Sequence, residues 1–84
     1  MRKSLYTPPN QELLKLLKQL RLEAGLTQVE LAEKLEVDQS EVSNWERGEQ
    51  RLDLVELCCI VDALNIPLSD FINRFERLVG RLQI

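Results

Sequence analysis

Hydrophobic positions along the chain recur at helical rather than strand spacing. Leu13, Leu17, Leu20 and Ala24 follow a 3.6-residue period, and Leu14 and Leu16 widen that stripe. The pattern predicts a first helix over 10–24, with Asn10 as its cap and Gly25 as its stop. From Leu26 to Gly48 the pattern shortens into two brief helices, about 28–35 and 39–47. Thr27 has Glu30 three residues on, the spacing of a capping box, and Leu26 with Leu31 can staple that start. Val37, Asp38, Glu41 and Val42 repeat the same grammar. Asp53 with Glu56, flanked by Leu52 and Leu57, announces a fourth helix that Asn65 ends and Pro67 follows. Leu68, Phe71, Ile72, Phe75, Leu78, Val79 and Leu82 form the stripe of a fifth. The fold expected is all-α with five helices. Residues 1–9 form an N-terminal arm, and 10–84 form one domain.

The polar positions sort as sharply as the apolar ones. In the third helix Val42 and Trp45 face inward, with Leu31, Ala32, Leu35 and Val37 opposite them. Gln39, Ser40, Glu41, Ser43 and Asn44 face outward. A short helix carrying amides and hydroxyls on its free side suits the reading of base edges in a major groove. The same face also fits an ordinary helical hairpin with a solvated surface.

The order of residues resembles a family. Leu26-Thr27-Gln28, Glu30-Leu31-Ala32, Leu35, Val37, Gln39-Ser40, Val42-Ser43 and Glu46-Arg47-Gly48 are similar to the lambda-repressor-like, Cro-type helix-turn-helix domains, often called XRE-like. Arg51-Leu52-Asp53, Glu56-Leu57 and the lead-in Leu5-Tyr6-Thr7-Pro8 match a subgroup of short bacterial members. The resemblance implies a DNA-binding transcriptional regulator, with helices two and three as the helix-turn-helix. It further implies a homodimer on a palindromic operator, repression more readily than activation, and residence in the cytoplasm.

Roles for single residues follow from the residues and the resemblance together. Gln28, first in helix two, can reach a phosphate, aided by the positive end of the helix; alone it reads equally as a solvated Gln. Gln39 and Asn44 can bond adenine in bidentate fashion, Ser40 enters the groove beside Gln39, and Ser43 reaches phosphate. Glu41 either accepts from a cytosine amino group or repels the backbone. Arg47 and Arg51 suit phosphate contact, although Glu49 opposes Arg51. Arg21 falls close to the buried stripe, and the resemblance implies an ion pair with Glu46 beneath the recognition helix. Phe75, Leu78, Val79 and Leu82 exceed what a small core needs, and the resemblance implies that they join two copies.

Two positions depart from the family pattern. The turn between helices two and three usually holds Gly and here holds Glu36, where a left-handed conformation costs roughly 1–2 kcal/mol. Glu41 stands where the nearest subgroup places an aromatic or apolar residue, so relatives' base contacts do not transfer whole.

Charge qualifies the DNA reading. The chain has 11 basic and 14 acidic residues, a net charge of −3, whereas phosphate neutralisation supplies much of nucleic-acid affinity. Five basic and two acidic groups fall within residues 1–24, and Arg2 and Lys3 can follow a phosphate or a minor groove. Weak non-specific binding is the expectation. The acidic third helix and apolar tail also fit a protein-interaction module, for example an antitoxin bound to a toxin. Catalysis finds no constellation: there is no histidine and no glycine-rich phosphate loop. No cofactor, metal or membrane span is expected. The adjacent Cys58 and Cys59 point about 100° apart, one toward the core and one outward, as reduced space-fillers or, less simply, a redox sensor.

Overall fold

The computed structural model describes residues 8–80. Five helices follow in order: α1 (Pro8–Glu23), α2 (Gln28–Leu35), α3 (Gln39–Glu46), α4 (Leu54–Ala63) and α5 (Leu68–Val79). No strand occurs among the described residues. The Leu26–Leu31 and Leu52–Leu57 pairs lie in or against the one hydrophobic core.

Local chemistry sets most boundaries. At α2 the Thr27 hydroxyl accepts from the Glu30 N–H at 3.0 Å, and the Glu30 carboxylate accepts from the Thr27 N–H at 2.9 Å. Asp53 and Glu56 close the same reciprocal pair at α4, at 2.7 and 2.8 Å. These bonds satisfy donors that a helix start otherwise leaves open. The matching box expected at α3 is absent: Asp38 is the N-cap, but its side chain makes no capping bond. The Glu41 N–H instead bonds the Asp38 carbonyl, at 3.0 Å.

Helix ends share one device. In α1 to α4 a 6→1 and a 5→2 backbone bond close the last turn around a residue of positive φ. That residue is Gly25 after α1, Glu36 after α2, Gly48 after α3 and Asn65 after α4. Glu36 has φ 58° and ψ 42°, so a residue carrying a Cβ occupies the left-handed region where glycine is free. The Val37 N–H to Ala32 carbonyl bond, 3.0 Å, and the Glu36 N–H to Glu33 carbonyl bond, 3.2 Å, hold it there.

Helix one departs from expectation at its start. It begins at Pro8, so both prolines assigned to the arm lie in its first turn and Asn10 is not its cap. Proline is tolerated there because first-turn N–H groups have no intrahelical acceptor. The remaining arm residues, 1–7, lie outside the described residues, as does Leu82. The buried face of α1 follows the expected stripe except at Ala24, which lies past the helix end. Leu14, Leu16, Leu17 and Leu20 are buried, Leu13 is half-buried and Ala24 exposed. Because α1 packs against both α3 and α5, it needs a broader inward face than one partner would demand.

The core gathers these leucines with Leu31, Ala32, Val42, Trp45, Leu57, Ile60, Val61, Leu64 and Phe71. Val42 and Phe71 are wholly buried. Val42 and Trp45 clamp α3 from its inner side, which forces the polar residues between them outward. Phe71 seats α5 in the core, while Ile72 and Leu78 remain exposed and Phe75 and Val79 half-exposed.

Candidate nucleic-acid interface

The turn at Glu36 sets α3 against α2 with its N-terminus and outer face open. Gln39, Ser40 and Glu41 are exposed, Ser43 and Asn44 half-buried, and Arg47 and Arg51 exposed. Glu41 lies on the flank rather than the centre of this face, bordering a shallow apolar cleft shared with Val37, Val55 and Glu56.

Beneath the face lies a buried ion pair. The Arg21 Nε donates to Glu46 Oε2 at 2.7 Å and its Nη2 to Oε1 at 3.1 Å. The Nη1 group donates to the Leu26 carbonyl at 2.7 Å. Both side chains are almost fully buried, 7 % and 4 % exposed. Counting whole residues, Arg21 is the one buried charged residue among the described residues. A fork-shaped guanidinium meeting a carboxylate through two bonds fixes direction as well as distance.

This pair reaches the surface through two glutamines. Gln28 Nε2 donates to Glu46 Oε1 at 2.9 Å, and Gln39 Nε2 donates to Gln28 Oε1 at 2.7 Å. A carboxylate only accepts, so Glu46 obliges Gln28 to present its amino group inward and its oxygen outward. That oxygen in turn takes the Gln39 amino group. Gln39 is left with its own oxygen and one N–H for a ligand, the pair of groups that the adenine edge complements. The first residues of α2 and α3 are thereby joined in one hydrogen-bonded line to the core.

A second network lies at the other end of α3. Arg47 donates to Ser43 Oγ, to Asn44 Oδ1 at 2.7 Å and to Glu49 Oε2 at 2.8 Å. The two residues expected to touch phosphate, Ser43 and Arg47, are thus bonded to each other. Neither this fold-back nor the Gln28–Gln39 bond was read from the sequence. The first had a signal, since Arg47 follows Ser43 and Asn44 by four and three residues, a helical-neighbour spacing. The second had none of that kind, because Gln28 and Gln39 are eleven residues apart in different helices.

Among the described residues no group of His, Cys, Asp and Glu comes together as a metal site. Cys58 is half-buried and Cys59 exposed, and both are free thiols. No helix among the described residues is long and apolar enough to cross a membrane.

Comparison with known proteins gives this arrangement a family. No curated protein sequence matches the chain. Among solved structures, the wild-type restriction-modification controller protein C.Esp1396I is similar to it, with 26 % identity, a TM-score of 0.81, and coverage of 87 % of this chain and 96 % of that one. A point mutant of that controller has 25 % identity and a TM-score of 0.81 over 92 % of this chain and 98 % of that one. The same controller as a tetramer with its natural 35 base-pair operator has 27 % identity and a TM-score of 0.78, over 84 % of this chain and 93 % of that one. A helix-turn-helix family model matches residues 17–71. That stretch holds α2, α3, the buried ion pair and both polar networks, and the chain belongs to the XRE-type helix-turn-helix family of DNA-binding proteins.

Proposed function

We propose that this protein is a sequence-specific transcriptional regulator that binds double-stranded DNA as a homodimer on a palindromic operator, and represses by occluding a promoter. The observation that carries the reading is the line Arg21–Glu46–Gln28–Gln39, which anchors the leading amide of an open polar helix to the core. An amide held in one orientation before DNA arrives loses little freedom on binding. The solved operator complex of a similar controller supports DNA as the ligand. Gln39, Ser40 and Asn44 read bases, with Glu41 at the edge; Gln28, Ser43, Arg47 and Arg51 serve the phosphates. No cofactor enters this scheme, and its setting is the cytoplasm of a cell whose DNA is accessible there.

The dimer reading rests on α5. Leu78 is 52 % and Ile72 41 % exposed beside half-buried Phe75 and Val79, an apolar strip left over once Phe71 has filled the core. Joining two copies through Phe75, Leu78 and Val79, with Leu82 as the next apolar position in the sequence, would set two recognition helices one DNA turn apart, ~34 Å. The competing reading is a protein-interaction module of antitoxin type. Replacing Gln39 and Asn44 together by Ala separates the two. Loss of binding to duplexes enriched by the wild-type protein, with unchanged melting temperature, supports the regulator. Unchanged DNA binding by that variant removes the recognition role from α3.

A further inference from the structure

The Arg47 guanidinium is engaged on both of its edges from within the chain. Nη1 and Nη2 donate to Ser43 Oγ and Asn44 Oδ1. On the other edge Nε donates to Glu49 Oε2 at 2.8 Å, and Nη2 lies 2.7 Å from the same oxygen. That Nε–Nη2 edge is one by which arginine grips a phosphate through two parallel bonds. Glu49 therefore stands where a phosphate oxygen would stand. Arg47 also borders an open notch of about 280 Å³ between α1 and the end of α3, lined with it by Gln11, Leu14, Lys15, Lys18, Glu46 and Gly48 but not by Glu49. The carboxylate that also borders this notch, Glu46, is committed to Arg21 and Gln28, which leaves Lys18, Arg47 and Lys15 as its cations, Lys15 lying 3.9 Å from Glu12 in an exposed pair.

We infer that this notch seats a backbone phosphate of the DNA, and that Glu49 is an internal competitor for Arg47 which sets how strongly the protein holds any duplex. The inference rests on the DNA-binding reading above. On binding, the Nε–Nη2 edge exchanges the Glu49 carboxylate for a phosphate, and the bonds to Ser43 and Asn44 persist because they use other N–H groups. The freed carboxylate returns to solvent near the DNA, where it opposes the phosphates. A chain with net charge −3 thus holds one of its best-placed cations in reserve. The effect is bounded, because the pair is 58 % and 56 % exposed and an exposed pair is weak. Removing Glu49 should strengthen binding by about two- to five-fold per subunit.

The test is a cycle of Glu49→Gln and Arg47→Met, singly and together, with Arg47→Gln as a second background. Binding is read by fluorescence anisotropy over a range of KCl concentrations, on a duplex enriched by the wild-type protein and on an unrelated duplex of equal length. Glu49→Gln alone should tighten both complexes and steepen the salt dependence by about one counterion per subunit. In either Arg47 background the same substitution should give a clearly smaller gain, only that from removing the carboxylate's repulsion of the phosphates. Equal gains from Glu49→Gln with and without Arg47, or no gain at all, overturn the inference while leaving DNA binding intact. Failure of the wild-type protein and every variant to bind any duplex removes the DNA-binding reading instead, and this inference with it.

Discussion

Replacing Glu46 by Ala tests the foundation of the recognition face. The substitution removes both carboxylate acceptors of Arg21 and leaves its guanidinium almost fully buried, with only the Leu26 carbonyl still bonded. Breaking a buried pair from one side costs roughly 3–5 kcal/mol. A chain of this length has a total stability of about 4–13 kcal/mol, so the loss is a large share of it. The assay is urea unfolding followed by fluorescence of Trp45, the sole tryptophan, which is 4 % exposed and packs the inner side of α3. The midpoint should fall by at least about 1 M. A companion variant, Arg21→Met with Glu46→Leu, removes both charges together. It should recover most of the stability, since apolar replacements of buried pairs are often neutral or stabilising. It should still bind DNA poorly, because Gln28 has lost the acceptor that orients it. A Glu46→Ala cost below about 1 kcal/mol, or full DNA binding by the double variant, would refute the reasoning.

Further outcomes follow from other parts of the molecule. Glu36→Gly should stabilise the fold by about 0.5–1 kcal/mol in urea melts, relief of left-handed strain outweighing the added freedom of the unfolded chain. Leu78→Asp should leave the melting of the monomer core nearly unchanged and abolish dimers in sedimentation velocity, since the side chain is exposed on α5. The backbone N–H of Thr27, then its hydroxyl, hold the Glu30 carboxyl below its ordinary value. Its contribution to stability is present above the unfolded-state pKa and is lost as pH falls through the folded-state one. Glu30→Gln should therefore lose less stability than the wild type on acidification, measured by urea midpoints at successive pH values.

What could be read from the sequence was what lies within three or four residues. The capping boxes at Thr27 and Asp53 depend on such spacing, and both form. Asp38 has the same spacing and forms none, because its helix start bonds through the backbone carbonyl instead. Pro8 and Pro9 look like the end of an arm, yet a helix accepts proline where its N–H has no partner anyway. Periodicity shows the inward face of α1, Leu14, Leu16, Leu17 and Leu20, but not that its width serves two partners, α3 and α5. The Arg21–Glu46 pair follows from the family resemblance alone, since local spacing says nothing of residues 25 apart. The Gln28–Gln39 bond escaped for the same reason, and the Arg47 fold-back because a cation at the end of a recognition helix suggests an external anion first.

The claim at the centre is that the surface from Gln39 to Asn44 reads a duplex. Enrichment of random double-stranded oligonucleotides by the purified protein tests it most directly. The account predicts convergence on a two-fold symmetric sequence with half-sites one helical turn apart, dependent on Gln39. A pool that stays random after repeated rounds, from protein shown by its melting transition to be folded, would contradict it.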